Sequence, residues 1–288
     1  MVLQRKVSIF LCRAVLALVL SCLAANGFAV ESFRVASLNA EWLWTPNDGR
    51  VDGSRFNKGD MSTAAYKKEL GFYAASIKEH GVELLALSEI ESELVAEDLA
   101  KLLGDSWLVS FRQGRDTATG QDVAILSKIG VRKNVTDFGF PAGEVDGFKP
   151  KRLSKVVGLV LEVEGRQLGV ATSHFLSKRK ESPKKAAQRL MQAKALIKAH
   201  DSFGPLDAAI LMGDFNDYRS SPVLKTMERE ANMKNVLVDC QSEDIKENKR
   251  YMIDHILFRG LSCVNVFTVD TQEFSDHPMV IAEFVFAD

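Results

Sequence analysis

The sequence predicts an α/β fold, because short apolar runs typical of buried strands alternate with segments of helical periodicity. The most informative run lies in Ala208 to Tyr218, AAILMGDFNDY, where the apolar residues stop at Gly213 and are followed by Asp214 and Asn216. A continuous apolar run bounded by turn residues suits a strand buried on both faces. Val82 to Ile90, VELLALSEI, has the same character. Because open α/β sheets keep their active sites at the carboxyl ends of strands, we expect functional residues there.

Length and composition favour one globular domain. The chain has 288 residues, 46% hydrophobic and 26% charged, which are ordinary globular values. No internal repeat or linker divides it. Without Met1–Ala29, which holds three basic and no acidic residues, 34 basic and 38 acidic residues remain, a net charge of −4. This balance argues against a nucleic-acid binder that relies on bulk positive charge, and leaves room for a local basic patch.

The amino terminus has the pattern of a secretory signal peptide. Two basic residues precede an apolar run, Ala14 to Ala25, and Gly27 and Ala29 are the small residues of a cleavage site. We expect residues 1–29 to be removed, residues 30–288 to form the working domain, and the protein to be periplasmic or secreted. The run is short for a membrane span. A lipoprotein signal ending at Cys22 is a poorer match.

Two cysteines, Cys240 and Cys263, follow the predicted signal peptide. They could form a disulfide, because oxidising compartments permit one. Two buried free thiols are an equally good interpretation, since the sequence does not reveal their geometry.

The amino-terminal half begins with a strand pattern at Phe33 to Leu38. A helix is expected from about Ser62, with apolar residues on one face and Gly81 as its stop. The other predicted elements of this half are a helix at Glu93 to Leu103, strands at Trp107 to Phe111 and Asp122 to Ser127, and a loop-like stretch at Gly139 to Pro150.

The carboxyl-terminal half begins with a predicted hairpin, Val156 to Val163 and Gln167 to Phe175, joined by Glu164 and Gly165. A long helix is expected from Pro183, a residue that suits a first turn, to His200. The remaining predicted elements are a helix at Pro222 to Glu230 and strands near Val236 to Val238, Met252 to Phe258, Val264 to Val269 and Val280 to Phe286.

Polar residues gather where the predicted strands end. Glu89 closes a buried strand, where a carboxylate needs a partner such as a metal unless it has already reached solvent. Asp214 and Asn216 could instead cap their own turn, and a lone His174 is more often structural. Asp254 and His255 are adjacent in a strand, so only one can face a shared site. The full set is Asn39, Glu41, Glu89, His174, Asp214, Asn216, Asp254, Asp276 and His277.

The chemistry of this set points to a hard metal ion. Carboxylates and amides without a thiolate cluster favour Mg²⁺, with Mn²⁺ or Ca²⁺ as alternatives, over zinc. Two histidines beside such a site suit phosphoryl transfer. The sequence has no serine or cysteine in a nucleophile motif and no glycine-rich loop followed by Lys-Ser/Thr. Direct attack by water is therefore favoured over a covalent intermediate.

Six short motifs occur in order along the chain: LNAEWL, LSEI, SHF, GDFND, IDHIL and SDHP. Together they resemble the endonuclease/exonuclease/phosphatase (deoxyribonuclease I-like) superfamily, over Phe33 to Phe286. The resemblance implies a four-layer α/β sandwich, in which two mixed β-sheets pack face to face with helices outside. It also implies a metal-dependent phosphoesterase.

The resemblance implies a role for each matched residue. Glu89 would be the principal metal ligand, with Asn39 and Glu41 beside it and Asp276 near the metal. The catalytic set would be His174 to hydrogen-bond the scissile phosphate, Asp214 to activate or orient water, Asn216 to place the phosphate, and Asp254 to orient His277. Arg189 and Gln192 would be structural. Family members often have an arginine followed by proline ahead of the predicted hairpin. Here Arg152 is followed by Leu153 and Ser154, so a phosphate-binding role for Arg152 is doubtful.

The leading hypothesis is an exported, monomeric Mg²⁺-dependent phosphodiesterase, more specifically a nuclease. The basic stretch Lys178 to Lys185 could steer an anionic substrate, although a charge run is usually a solvated face. A second hypothesis is a phosphatase or phospholipase C for inositol phosphates or sphingomyelin, with Phe138, Phe140 and Phe148 in a lipid-touching loop. The third is a non-catalytic binding protein on the same fold.

Overall fold

Two six-stranded sheets pack face to face, and helices cover their outer faces. The computed structural model describes residues 32–46, 61–117, 119–135, 139–242, 245 and 252–287. Within it, Phe33–Asp288 forms one compact unit. The predicted signal peptide, with its cleavage after Ala29 and the alternative at Cys22, lies outside the described residues, and so does Phe138. The predicted division of the chain at residue 29 stays a prediction.

Fourteen strands and five helices are assigned in the described residues. The strands are β1 (Phe33–Leu43), β2 (Val82–Ile90), β3 (Leu108–Phe111), β4 (Asp122–Ser127), β5 (Val131–Val135), β6 (Ala142–Gly143), β7 (Lys151–Arg152), β8 (Val157–Val163), β9 (Arg166–Thr172), β10 (Ala208–Asp214), β11 (Lys234–Asn235), β12 (Asp254–Arg259), β13 (Leu261–Val269) and β14 (Met279–Phe286). The helices are α1 (Thr63–Glu79), α2 (Glu93–Leu103), α3 (Pro183–Asp201), α4 (Pro222–Glu230) and α5 (Val236–Asp239).

Both sheets are mixed, as the predicted fold class requires. The first sheet has the order β13-β14-β1-β2-β4-β3, and the second has the order β11-β12-β10-β9-β8-β5. In the first, β1 runs parallel to β2 and antiparallel to β14. In the second, β10 runs parallel to β9 and antiparallel to β12. The four-layer α/β sandwich is therefore confirmed.

Three apolar cores hold the layers together. The central core lies between the sheets and combines residues of both, such as Val35 and Ile210. The outer cores join the first sheet to α1 and α2, and the second sheet to α3 and α4. Alternate residues of a strand face opposite sides of its sheet, so each central strand contributes to two cores. This explains the nearly continuous apolar runs in the sequence.

The helices follow the sequence signals closely, whereas some short segments do not. Ser62, Ser182 and Ser221 each cap a helix, their hydroxyl oxygens accepting a backbone N–H of the first turn. The expected strand at Val236 to Val238 is wrong: this segment is helix α5, whose N-cap Asn235 accepts from the backbone N–H of Leu237. Strand β5 and the two-residue strands β6 and β7 were not predicted from the sequence.

Cys240 and Cys263 form a disulfide, with their Cα atoms 5.4 Å apart. The disulfide joins the end of α5 to β13, and both residues pack against the central core. Of the two interpretations of these cysteines, the structure therefore supports pairing. No helix in the described part of the chain is long and apolar enough to cross a membrane.

Candidate active site at the ends of both sheets

Acidic, amide and imidazole groups from both sheets meet at one edge of the sandwich. The first sheet contributes Asn39 and Glu89, and the second contributes His174 and Asp214. The Asn39 Nδ2 atom donates to Glu89 Oε1 at 3.1 Å and to Asp214 Oδ2 at 3.0 Å. His174 Nε2 lies 3.7 Å from Glu89 Oε1 and 3.5 Å from Asp214 Oδ2. Residues up to 175 positions apart in the sequence are thus in direct contact.

A β-bulge turns Glu89 into this site. Leu85, Leu87 and Ile90 face the helical layer, whereas Leu84 and Ala86 face the space between the sheets. The spacing from Leu87 to Ile90 breaks the alternation, and the pairing of β2 with β4 shifts register between Ser88 and Ile90. Glu89 is the extra residue, with a φ of 60°. Regular alternation would instead have pointed its carboxylate at the helices.

The end of β10 combines a close backbone approach with a turn. Gly213 has a φ of 134°, and a Cβ atom there would lie 2.3 Å from the Ser173 carbonyl oxygen. Asp214 Oδ1 accepts the Asn216 backbone N–H at 2.8 Å, and Asp214 Oδ2 accepts from Asn216 Nδ2 at 3.1 Å. Asn216 adopts a φ of 51°. The capping interpretation of this motif is therefore correct, and the same turn holds Asp214 in the polar cluster.

His277 and Asp254 form a hydrogen-bonded pair next to Asp214. His277 Nδ1 lies 2.5 Å from Asp254 Oδ2. The segment carrying His277 is fastened to β1, because Ser275 Oγ accepts the His277 backbone N–H and donates to the Asn39 carbonyl oxygen. His255 faces the other side of the sheet, where its Nε2 lies 2.9 Å from the Asp217 carbonyl oxygen. As predicted, only one of the adjacent pair Asp254 and His255 points into the site.

Burial and mutual charge shift the pKa values of the site. Burial, together with the neighbouring Asp254 charge, raises the pKa of Asp214 well above its usual value. Burial also raises the pKa of Glu89, although the Asn39 hydrogen bond opposes this. Burial and the Lys155 charge hold the pKa of His174 well below 6.5. Burial opposes protonation of His277, but Asp254 and the other acidic groups outweigh it and raise the pKa of His277 to about 10.

Two of the four predicted metal ligands lie at the rim. Asp276 is exposed, and its backbone N–H donates to Glu41 Oε2. Asp276 Oδ1 lies 3.5 Å from His277 Nε2. Asn39 is central, yet its nitrogen faces the carboxylates while its oxygen accepts the Glu41 backbone N–H. In this arrangement Asn39 orients the two acids, and only Glu89 of the predicted set presents carboxylate oxygens at the centre.

The donor atoms of the cluster fit a divalent cation. Glu89, His174 and Asp214 each offer one ligand atom within 4.8 Å of the others, as do Asp214, Asp254 and His277. Carboxylate oxygens dominate both groups, which is the donor set of a hard metal ion. Asp254 Oδ1 is buried and has no hydrogen-bond partner among the described residues. A cation would satisfy the charge that these buried oxygens share.

Lys155 and Gln121, which none of the sequence motifs includes, contact His174 and Glu89. Gln121 Nε2 donates to Glu89 Oε2 at 2.6 Å. Lys155 is buried, and its Nζ atom lies 3.0 Å from Asp116 Oδ2 and 3.5 Å from His174 Nδ1. The sequence holds one weak signal for Lys155. It lies two residues before Val157 and four before Leu159, which face the space between the sheets, so strand alternation would point its side chain the same way.

The basic stretch after His174 is partly used inside the protein. Lys178 Nζ lies 2.6 Å from Asp217 Oδ1, and the Lys185 side chain donates to the Arg179 carbonyl oxygen. Fully buried Arg189 pairs with Asp217 at 3.1 Å. Gln192 accepts the Leu176 backbone N–H, so Arg189 and Gln192 have the structural contacts expected of them. The exposed basic residues of this stretch are Arg179, Lys180 and Lys184.

The aromatic residues of the proposed lipid-touching loop do not share one environment. The Arg112 guanidinium lies 4.0 Å from the centre of the Phe140 ring, and Phe140 packs against the core beneath α3. Phe148 is 41% exposed. Within the described part of this loop, only Phe148 therefore presents a largely accessible aromatic surface.

Comparison with known proteins agrees with this fold. A profile described as "Endonuclease/Exonuclease/phosphatase family" matches residues 70–277. No sequence of a curated protein matches the chain. Several solved structures share the fold, at 13–16% sequence identity. A mannosyl-6-phosphatase from Bacteroides thetaiotaomicron has a TM-score of 0.65 at 16% identity, and the match covers 88% of this chain and 100% of that chain.

Two further structures extend the comparison. An endonuclease/exonuclease/phosphatase family protein from Bacteroides thetaiotaomicron has a TM-score of 0.65 at 16% identity, covering 89% of this chain and 96% of its own. The human Nocturnin catalytic domain, determined with a bound sulfate anion, has a TM-score of 0.63 at 16% identity and covers 89% and 95%. The six motifs, the paired mixed sheets and the family profile agree: this chain belongs to the endonuclease/exonuclease/phosphatase family.

Proposed function

We propose that this chain is an exported, divalent-metal-dependent phosphodiesterase that uses direct attack by water, with nucleic acid as its favoured substrate. The observation that carries the proposal is the meeting of Glu89, His174 and Asp214 from two different sheets within 4.8 Å. Burying two carboxylates together is unfavourable without a cation. A purely structural role would not explain why the fold gathers them.

Each residue of the site has a definite part in the proposed reaction. A divalent cation held by Glu89 and Asp214 would neutralise charge on the phosphate oxygens. The His174 Nε2–H donates to a phosphate oxygen, and Asp214 orients the attacking water. Asp254 holds His277 through its Nδ1 atom. The His277 imidazolium stabilises the charge that develops on the phosphate or the leaving oxygen.

Export is supported by two independent features. The amino-terminal sequence has the layout of a cleavable signal peptide. The Cys240–Cys263 disulfide is a bond that persists in oxidising compartments and is rare in the reducing cytosol. Both features are expected of a periplasmic or secreted enzyme.

The choice of substrate rests on a narrower basis. The exposed cations Arg179, Lys180 and Lys184 follow His174 in the sequence and favour a polyanion such as nucleic acid. A phosphomonoester is the second candidate, because a mannosyl-6-phosphatase shares the fold. A membrane lipid is less favoured, because Phe140 is partly buried against the core.

Replacement of Asp214 by Asn tests the proposal. The variant keeps the side-chain shape but loses the charge that orients water, so we expect turnover to fall by roughly 10²–10⁴-fold. Wild type and variant should be assayed with Mg²⁺ on plasmid DNA, RNA, inositol phosphates, sphingomyelin, mannose 6-phosphate and bis-p-nitrophenyl phosphate. Asp105→Asn, at an exposed turn, is the matched control and should keep full activity.

The pattern of activities separates the hypotheses. Metal-dependent cleavage of DNA or RNA that Asp214→Asn removes would support a nuclease. Cleavage of monoesters alone would replace the nuclease by a phosphatase, and cleavage of sphingomyelin alone would replace it by a phospholipase C. If folded wild-type protein cleaves none of these substrates with Mg²⁺, Mn²⁺ or Ca²⁺, the enzyme proposal is wrong and a binding protein is the better interpretation.

A further inference from the structure

Lys155 is a buried cation that touches the site from behind. Only 4% of the residue is exposed. Its Nζ atom lies 3.0 Å from Asp116 Oδ2, 3.4 Å from Gln121 Oε1 and 3.5 Å from His174 Nδ1. None of the sequence motifs includes this residue. Its three neighbours are one carboxylate, one amide oxygen and one ring nitrogen.

The chemistry of an ammonium group decides what its partners must be. An ammonium has three donors and no acceptor, so each partner has to accept. A histidine Nδ1 atom that accepts carries no proton, and the proton of the neutral ring is then on Nε2. That atom lies 3.7 Å from Glu89 Oε1 and 3.5 Å from Asp214 Oδ2, on the side of the ring that faces the two carboxylates. The ring therefore presents an N–H donor to the position where a phosphate would lie.

The same reasoning assigns the orientation of Gln121. Its Oε1 atom faces the ammonium, so its Nε2 atom is turned toward Glu89 Oε2, at 2.6 Å. The Lys155 ammonium thus orients two donors: Gln121 Nε2 toward Glu89, and His174 Nε2 toward the substrate. The backbone reinforces the arrangement, because Ser173 Oγ donates to the Lys155 carbonyl oxygen at 2.6 Å. This bond ties the residue before His174 to the start of β8.

We propose that Lys155 is a positioning residue that holds His174 in the Nε2–H tautomer and turns the Gln121 amide toward Glu89. The proposal rests on the phosphoesterase function proposed above. It has a further consequence for the metal: a protonated Nε2 cannot coordinate a cation, so His174 acts on the phosphate. Glu89 and Asp214 are then the ligands.

Asp116 is the counterion that keeps this buried charge in place. Its carboxylate also accepts the Thr119 hydroxyl and the Thr119 backbone N–H. Its side chain is 21% exposed, so water can reach it if the lysine is removed. A Lys155→Met variant therefore leaves no fully buried, unpaired acid at Asp116. This makes the variant suitable for a test in folded protein.

Nitrogen-15 NMR of the histidine rings tests the proposal directly, in metal-free wild-type protein. The His174 signals are assigned by their loss in His174→Gln. We expect Nδ1 without a proton and Nε2 with one. Lys155→Met should give a mixture of tautomers and lower kcat by about 10–100-fold with little change in KM, the usual size of an outer-sphere effect. Lys155→Arg should restore the tautomer and part of kcat.

Lys133→Met is the matched control, because Lys133 lies on the exposed strand β5 and pairs with Glu162 at the surface. It should change neither the tautomer nor kcat. A proton on Nδ1 of His174 in the wild type would overturn the proposal, and this measurement needs no variant to fold. An unchanged tautomer and kcat in Lys155→Met would also overturn it. If the protein hydrolyses no phosphoester, the function proposal fails while the NMR result still decides the tautomer.

Discussion

Uncharged donors surround the buried charges of the site. Asp214 Oδ2 accepts from the amides of Asn39 and Asn216, and Glu89 accepts from Asn39 and Gln121. Amide donors stabilise a carboxylate without adding a formal positive charge that would compete with a metal ion. The raised pKa values of Asp214 and Glu89 show that these donors do not fully offset burial. A cation bound there would favour the ionised carboxylates and release protons.

The His277–Asp254 pair predicts a pH dependence of stability. Its neighbours raise the pKa of His277 from 6.5 to about 10. The raised pKa means that the protonated ring stabilises the folded state fully below pH 6.5 and that this contribution is lost as the pH rises toward 10. In metal-free protein, we expect the advantage of the wild type over His277→Gln in the free energy of unfolding to be largest near pH 6, roughly 2–4 kcal/mol.

Urea denaturation in EDTA at pH 6, 8 and 10 measures this advantage. It should shrink steadily over that range, because the wild type loses its proton and the glutamine variant has none to lose. A difference that stays constant across the range would show that the pair contributes through packing alone. Asp105→Asn serves again as a control, since its exposed side chain should give no such trend.

The sequence predicted the positions of the acidic residues of the site better than those of the residues that hydrogen-bond to the acids and to His174. Asp214 and Glu89 end apolar strands and Asp254 begins one, so the burial of strand ends predicts their positions. The contacts of Lys155 and Gln121 depend on how β8 and the segment before β4 approach the site, and pairings between distant segments leave no local signal. The orientation of Asn39 was likewise not predictable, because its amide contacts residues from both sheets.

Two β-bulges shape the elements around the site. In β1, Ala40 and Leu43 both face the helical layer, and the pairing with β2 shifts register between Asn39 and Leu43. Glu41 and Trp42 between them have φ values of 41° and 67°. Glu89 has the same left-handed conformation in β2. Left-handed residues other than glycine are unfavourable by about 1–3 kcal/mol each and cluster at functional sites.

Gly213 tests how closely β9 and β10 must approach. Gly213→Ala would place a Cβ atom 2.3 Å from the Ser173 carbonyl oxygen at a φ of 134°. We expect a loss of roughly 3 kcal/mol in the free energy of unfolding, from strain and steric overlap. Gly71→Ala is the control, because a Cβ atom at Gly71 in α1 meets no atom within 4 Å. It should stabilise the protein by about 0.5–1 kcal/mol.

Urea denaturation of both alanine variants gives the two free energies. Equal effects of the two substitutions would contradict the close approach at the end of β10.

The element-scale predictions from sequence succeeded where a cap or a long periodic stretch was present, as in α2 and α4, whose bounds agree with the expectation. They failed at Val236 to Val238, because three apolar residues fit a strand and a helical turn equally well. The Asn235 cap decided between them.

At the scale of the whole molecule, the site exists only where the two sheets meet. Glu89 belongs to the first sheet and Asp214 to the second, so neither half of the sandwich could assemble the cluster alone. Periodicity predicted the strands but could not arrange them into two sheets, since it carries no pairing information. The order of six short motifs supplied that arrangement through resemblance to a family. The mixed sheets then followed from the family fold.

The disulfide connects stability to the compartment in which the protein works. Cys240 and Cys263 are 23 positions apart. Closing a loop of this length in the unfolded chain stabilises the folded state by about 3 kcal/mol. We expect Cys240→Ser, Cys263→Ser and the double variant to lose similar amounts in the free energy of unfolding, because one partner alone cannot form the bond. Reduced wild-type protein should lose the same amount, whereas the double variant should not respond to reductant.

Urea denaturation with and without dithiothreitol measures these changes, and mass spectrometry after alkylation counts the free thiols. Exported protein with two alkylated thiols, or a wild type indifferent to reductant, would show that the bond does not form and would remove its support for export.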